Sequence, residues 1–279
     1  MVLKQILKYI YMRTKKMMLL AILLTVPFYC FSARIDTVSV PSACMQREIT
    51  VVTITPDGAK DVPVIYLLHG YDGSAYQWMK TKPNLPEIAD KEGVIFVCPD
   101  GENSWYFDSP LKKDSQFETF VAKELVAYVD KHLPTIHKRT ARAITGLSMG
   151  GHGAMFLSMR HKEVFGAVGS MSGGVDISSF PKNWKISLII GNYAKEESRW
   201  HQLSAIYQIK HIENGDLAII MDCGMSDFFF TVNKNFHQAL VKKGIEHDYI
   251  VRPGGHSHAY WNNSIDYHIL FFMKYFRKK

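Results

Sequence analysis

Residues 142–154 read Arg142-Ala143-Ile144-Thr145-Gly146-Leu147-Ser148-Met149-Gly150-Gly151-His152-Gly153-Ala154. Arg142–Thr145 suits a short buried strand, and a helical pattern over Gly150–His161 follows it. Ser148 therefore falls on a tight strand-to-helix turn, with a glycine two positions before it and another two after. Such a turn strains the backbone of the serine, and bulk at either flanking position would strike the neighbouring strand and helix. The hydroxyl is then presented at a helix N-terminus, where amide N–H groups and the helix dipole favour negative charge. Gly-x-Ser-x-Gly in this context makes Ser148 the candidate nucleophile. An ordinary glycine-rich turn can carry the same five residues, so the surrounding chain has to decide.

Outward from the turn, strand and helix patterns alternate. Glu48–Thr55 is rich in β-branched residues and closes on the turn Pro56-Asp57-Gly58. Val62–Leu68 and Gly93–Cys98 are short apolar runs of the kind buried on both faces of a parallel sheet. Phe165–Met171, Ser187–Ile190, Leu217–Asp222 and Asp248–Arg252 are expected to be strands of the same sort. Phe117–His132 carries Phe117, Phe120, Val121, Leu125, Tyr128 and Val129 on one stripe of a helix. Val232–Lys243 and Asn263–Tyr275 are further helical candidates. No repeat or Pro/Ser-rich linker divides residues 34–279, which predicts one α/β domain with a mostly parallel central sheet and helices on both faces. Functional groups of such sheets collect at the carboxyl ends of the strands.

A serine hydroxyl needs a base to take its proton, and the base needs an acid to orient it. Asp227 lies just beyond the strand Leu217–Asp222, and His256 follows the turn Pro253-Gly254-Gly255 after the last strand. Both are loop residues at strand carboxyl ends, in the order nucleophile, acid, base. Asp222 and His258 are their rivals at this point. His256 and His258 are also spaced as half a metal site, but no other cluster completes it. The segment Leu67-Leu68-His69-Gly70-Tyr71 ends another strand. Its Tyr71 N–H, with that of Met149, is the expected pair of oxyanion donors, and His69 is expected to brace the loop. Trp105, Tyr106 and Phe107, together with Phe228, Phe229 and Phe230, are candidates for an aromatic rim, from which Trp105, Tyr106 and Phe228 are taken as substrate contacts.

Composition narrows the classes. The 279 residues are 47% hydrophobic and 21% charged, which is globular usage and excludes a disordered or multi-span membrane chain. The formal charge of +7 suggests a polyanion partner until its location is checked. Lys4, Lys8, Arg13, Lys15 and Lys16 fall in residues 1–33, which hold no acid, so the remainder carries only +2. A nucleic-acid partner is therefore not expected. Basic residues before the apolar run Met17–Val26, then Pro27 and the small residues Ser32 and Ala33, describe a secretory signal peptide over 1–33. The run is too short to span a bilayer, so no stable membrane insertion is expected once the leader is removed, and the mature chain is expected in the periplasm or outside the cell. Cys30 follows the bulky Tyr29, which argues against lipidation. Cys44, Cys98 and Cys223 remain, enough for at most one internal bridge. Nothing in the sequence speaks to the oligomeric state.

Five blocks resemble the esterase D-like branch of the α/β-hydrolases, which includes S-formylglutathione hydrolases, feruloyl and acetylxylan esterases and mycolyltransferases. They are Tyr66–Gly70 with Trp78; Pro99-Asp100-Gly101 with Ser104-Trp105-Tyr106; Gly146–Gly151; Cys223-Gly224 with Asp227; and Gly255-His256 with Trp261. They extend over nearly all of the mature chain. The resemblance implies a serine carboxylester hydrolase with Ser148, Asp227 and His256 as its triad, no cofactor, and a small-molecule or oligosaccharide ester, acetyl or feruloyl, as substrate. Acyl transfer on the same triad and a non-catalytic carbohydrate- or surface-binding module are the alternatives. One departure is His258, where the family often has an aromatic residue.

Overall fold

The computed structural model describes residues 2–24 and 32–278, with side chains described over 2–15 and 32–278. Residues 2–24 form one helix, Val2–Leu24, whose side chains over 2–15 are exposed. Pro27, Tyr29 and Cys30, on which part of the leader reading rests, lie outside the described residues. No helix among the described residues is long and apolar enough to cross a membrane.

Residues 32–278 build an eight-stranded sheet. Its strands are β1 (Arg34–Ser42), β2 (Arg47–Thr55), β3 (Val64–Leu68), β4 (Ile95–Pro99), β5 (Arg142–Gly146), β6 (Ala167–Met171), β7 (Ala218–Gly224) and β8 (Asp248–Arg252). Their spatial order is β1-β2-β4-β3-β5-β6-β7-β8. β1 and β2 pair antiparallel, as do β2 and β4, and every pairing from β4 to β8 is parallel.

Alternation along the central strands sorts side chains between two cores. Tyr66 and Leu68 pack with the helix Met149–Arg160 and with Phe117, Phe120 and Phe236. Ile65 and Leu67 pack on the other face with Leu85, Ala89, Ile265 and Phe272. A strand covered on both faces has no polar side, and all five β3 residues are buried.

Two sequence expectations fail. Ser187–Ile190 is a short helix rather than a strand: the Ile190 N–H donates to the Ile186 carbonyl, and Gly191 at φ 94° ends the turn. β1 was not anticipated. It is an edge strand with Pro41 in it and most of its residues exposed or half-exposed, so it lacks the apolar run of a central strand. The stripe over 117–132 is helical throughout but widens to a π-type turn over Phe120–Leu125.

Candidate active site

Ser148 sits between β5 and the helix Met149–Arg160 with φ 55° and ψ −116°, the strained conformation expected of the turn. The flanking glycines are required by contact. A β-carbon on Gly146 would lie 2.4 Å from the Gly150 carbonyl, and one on Gly150 would lie 2.3 Å from the Leu68 carbonyl oxygen. The turn is fixed by the Ser148 N–H, which donates to the Met171 carbonyl at 2.9 Å, and by two amides, of His152 and Gly174, on its own carbonyl.

The three residues singled out from the sequence meet at the carboxyl ends of β5, β7 and β8. Ser148 Oγ is 2.9 Å from His256 Nε2. His256 Nδ1 lies 2.9 and 3.0 Å from the two oxygens of Asp227. The Asp227 carboxylate is wholly buried, and its Oδ1 also accepts the Phe229 N–H at 2.8 Å. A carboxylate only accepts, so the proton of a neutral imidazole stands on Nδ1, and Nε2 offers a lone pair to the serine hydroxyl. Two backbone bonds bring the acid and base loops together: the Met225 N–H donates to Arg252 O and the Ser226 N–H to Gly254 O.

The rivals are engaged elsewhere. Asp222 is wholly buried against Arg252, Ser264 and His268. His258 Nδ1 pairs with Thr81 Oγ1 at 2.8 Å, and its ring meets Trp261 edge-on. Among the described residues no three His, Cys, Asp or Glu gather in the manner of a metal site. Burial pushes the thiols of Cys98 and Cys223 far above their ordinary range, and neither these nor Cys44 is bridged.

Gly70 packs against the nucleophile, since a β-carbon there would lie 3.4 Å from Ser148 Cβ. Neither the Tyr71 nor the Met149 N–H donates to a protein acceptor among the described residues. One belongs to the β3 loop and the other to the first residue of the nucleophile helix, so both remain available to an oxyanion.

The aromatic rim needs correction. Trp105 and Tyr106 are buried, at 1% and 0% exposure, and do not present themselves as substrate contacts. Both hold positive φ, 57° and 62°, a turn that swings their side chains inward. Trp105 packs on His152 and Trp184, while Tyr106 fills the space over Gly101 and Gly153 and donates from its hydroxyl to the His69 carbonyl. Phe228 does reach the surface, 55% exposed, with its ring centroid 4.2 Å from that of His256. Trp184, not anticipated, stacks on Phe228 at 6.1 Å and lines a cleft of about 460 Å3 with Tyr71, Asp72, Asn103 and Leu188. The sequence offered no signal for it, because it stands in an irregular stretch between β6 and the short helix.

Comparison with known proteins places the chain among esterases. The Esterase family, described as "Putative esterase", matches residues 42–272. An acetyl esterase of Caldicellulosiruptor saccharolyticus is 27% identical over 80% of this chain and 92% of its own length. A diacylglycerol acyltransferase/mycolyltransferase of Mycobacterium tuberculosis is 25% identical over 83% of this chain and 78% of its own. The solved structure of a ferulic acid esterase superposes with a TM-score of 0.74 at 27% identity, covering 88% of this chain and all of that one.

Proposed function

We propose, from the premise that this chain belongs to the Esterase family and is a carboxylic ester hydrolase, that it works through an acyl-enzyme on Ser148. The observation that carries the reading is the unbroken relay from Ser148 Oγ through His256 to the buried Asp227. His256 Nε2 takes the serine proton as Oγ attacks the ester carbonyl. The N–H groups of Tyr71 and Met149 meet the negative charge that develops on the carbonyl oxygen. The imidazolium, held by Asp227, returns the proton to the departing alcohol oxygen. Water, deprotonated by the same nitrogen, then releases the acid and restores Ser148.

The substrates we propose are short-chain acyl esters and acetyl or feruloyl groups on polysaccharide, met outside the cytoplasm after removal of residues 1–33. The exposed Phe228 ring beside His256, stacked on Trp184, supports a flat partner such as a phenolic acyl group or a sugar face. Five basic residues and no acid in the first 33 residues, against a near-balanced remainder, support the leader. The mycolyltransferase likeness favours a second reading, in which an alcohol replaces water at the acyl-enzyme. The test is product analysis of the 34–279 protein on acetylated and feruloylated oligosaccharides and simple aryl esters, with and without an added alcohol. Free acid from a carbohydrate ester is expected. Turnover of aryl esters alone would contradict the polysaccharide reading, and transfer to the alcohol in preference to water would favour the second.

A further inference from the structure

His69 is wholly buried and takes no part in the steps above. Its ring contacts reveal where its proton sits. The Gly101 backbone N–H donates to Nε2 at 2.7 Å, so this nitrogen presents a lone pair. The single proton of the neutral ring then stands on Nδ1, which donates to the Gly70 carbonyl at 2.7 Å. Asp100 Oδ1 lies 3.4 Å from the same Nε2. With a lone pair facing it, that carboxylate is no acid partner, and the two do not form a second His–Asp relay.

The Gly70 carbonyl shares one peptide unit with the Tyr71 N–H. The unit is planar and trans, so its C=O and N–H point in opposite directions, and pinning the oxygen aims the N–H. A second donor, the Gly73 N–H, reaches the same oxygen at 3.0 Å. The rest of the segment is tied as firmly. The Gly70 N–H donates to Gln77 Oε1, the Tyr106 hydroxyl to the His69 carbonyl, and Trp78 Nε1 to the Leu68 carbonyl. The Tyr71 N–H is left without a protein acceptor among the described residues.

We propose that His69 is a positioning residue for ester hydrolysis: its Nδ1–H locks and polarises the Gly70–Tyr71 peptide so that the Tyr71 N–H is preset toward the oxyanion. The proposal rests on Ser148 being the nucleophile. A donor fixed in advance costs no reorganisation when charge develops, which is where oxyanion sites gain most of their effect. Hydrogen bonds to the oxygen of a peptide also strengthen its N–H as a donor.

The test compares His69→Asn with His69→Gln. The Asn amide nitrogen stands near the place of Nδ1 and keeps a donor for Gly70, whereas the Gln amide reaches the place of Nε2 and serves Gly101. Wild-type turnover and its loss in Ser148→Ala are measured first, so that failure of the serine reading is distinct from failure of this one. A fluorophosphonate counts competent Ser148, and a trifluoromethyl ketone, whose adduct carries the oxyanion, reports on the donor. In His69→Gln, kcat is expected to fall about 10- to 100-fold at nearly constant KM, with a parallel loss of ketone affinity. His69→Asn should recover part of both. Activity in His69→Gln equal to or above that of His69→Asn, or a loss confined to KM, overturns the proposal. Should neither variant fold, Tyr106→Phe removes only the hydroxyl that holds the His69 carbonyl. Its kcat is expected to fall severalfold with KM unchanged, and a wild-type kcat overturns the proposal.

Discussion

Gly224 and Gly254 stand so close that a β-carbon on Gly224 would lie 2.4 Å from the Gly254 carbonyl oxygen. One ends β7 three residues before Asp227, and the other precedes His256 by two. The contact sets the spacing of the loops that carry acid and base. Gly224→Ala is expected to push them apart and lower kcat/KM by on the order of 10²-fold, the cost of misplacing a reacting group by about 1 Å. Steady-state kinetics at matched folded fraction measures this, and wild-type kinetics would show that the contact sets nothing.

The two aspartates of the β7 end are predicted to behave differently. Asp227→Asn should keep the fold and cut turnover by about 10⁴-fold, because an amide cannot hold the imidazole in the required tautomer. Asp222→Asn removes a buried charge that faces Arg252 and His268. It should lower the melting temperature far more than it lowers kcat. Thermal melts and kinetics on the pair decide, and the opposite pattern would make Asp222 the acid.

His152 predicts an acid-sensitive fold. It is wholly buried behind the nucleophile, with Nδ1 on the Trp105 carbonyl and Nε2 on the Leu203 carbonyl, of which a neutral ring can serve only one. Burial dominates and pulls its pKa down to about 4, the two carbonyls opposing. Between about pH 6.5 and 4 the unfolded chain then binds a proton that the folded chain refuses, so stability falls as pH falls through this window. The loss amounts to on the order of 3 kcal/mol at the lower end. The fall in melting temperature from pH 7 to 4.5 should be smaller in His152→Gln than in wild type, and equal falls would contradict this.

Local chemistry made much of this molecule legible. The strand at 142, the glycine spacing around Ser148 and the loop positions of Asp227 and His256 each follow from residues that have few other uses. What failed had no such signature. Ser187–Ile190 is an apolar run too short for periodicity to separate helix from strand. β1 is half exposed and carries a proline, so it reads as a loop. Trp105 and Tyr106 look like rim residues, but two successive positive φ angles turn them into the core. The partners of His69 and His152 are backbone groups, which side-chain patterns do not display.

The most direct check is the rate on a chromogenic acetate or butyrate ester, wild type beside Ser148→Ala, both folded. Turnover by the wild type with a loss of about 10³-fold or more in the alanine variant is the outcome required by a serine relay. Equal rates in the two proteins would contradict it.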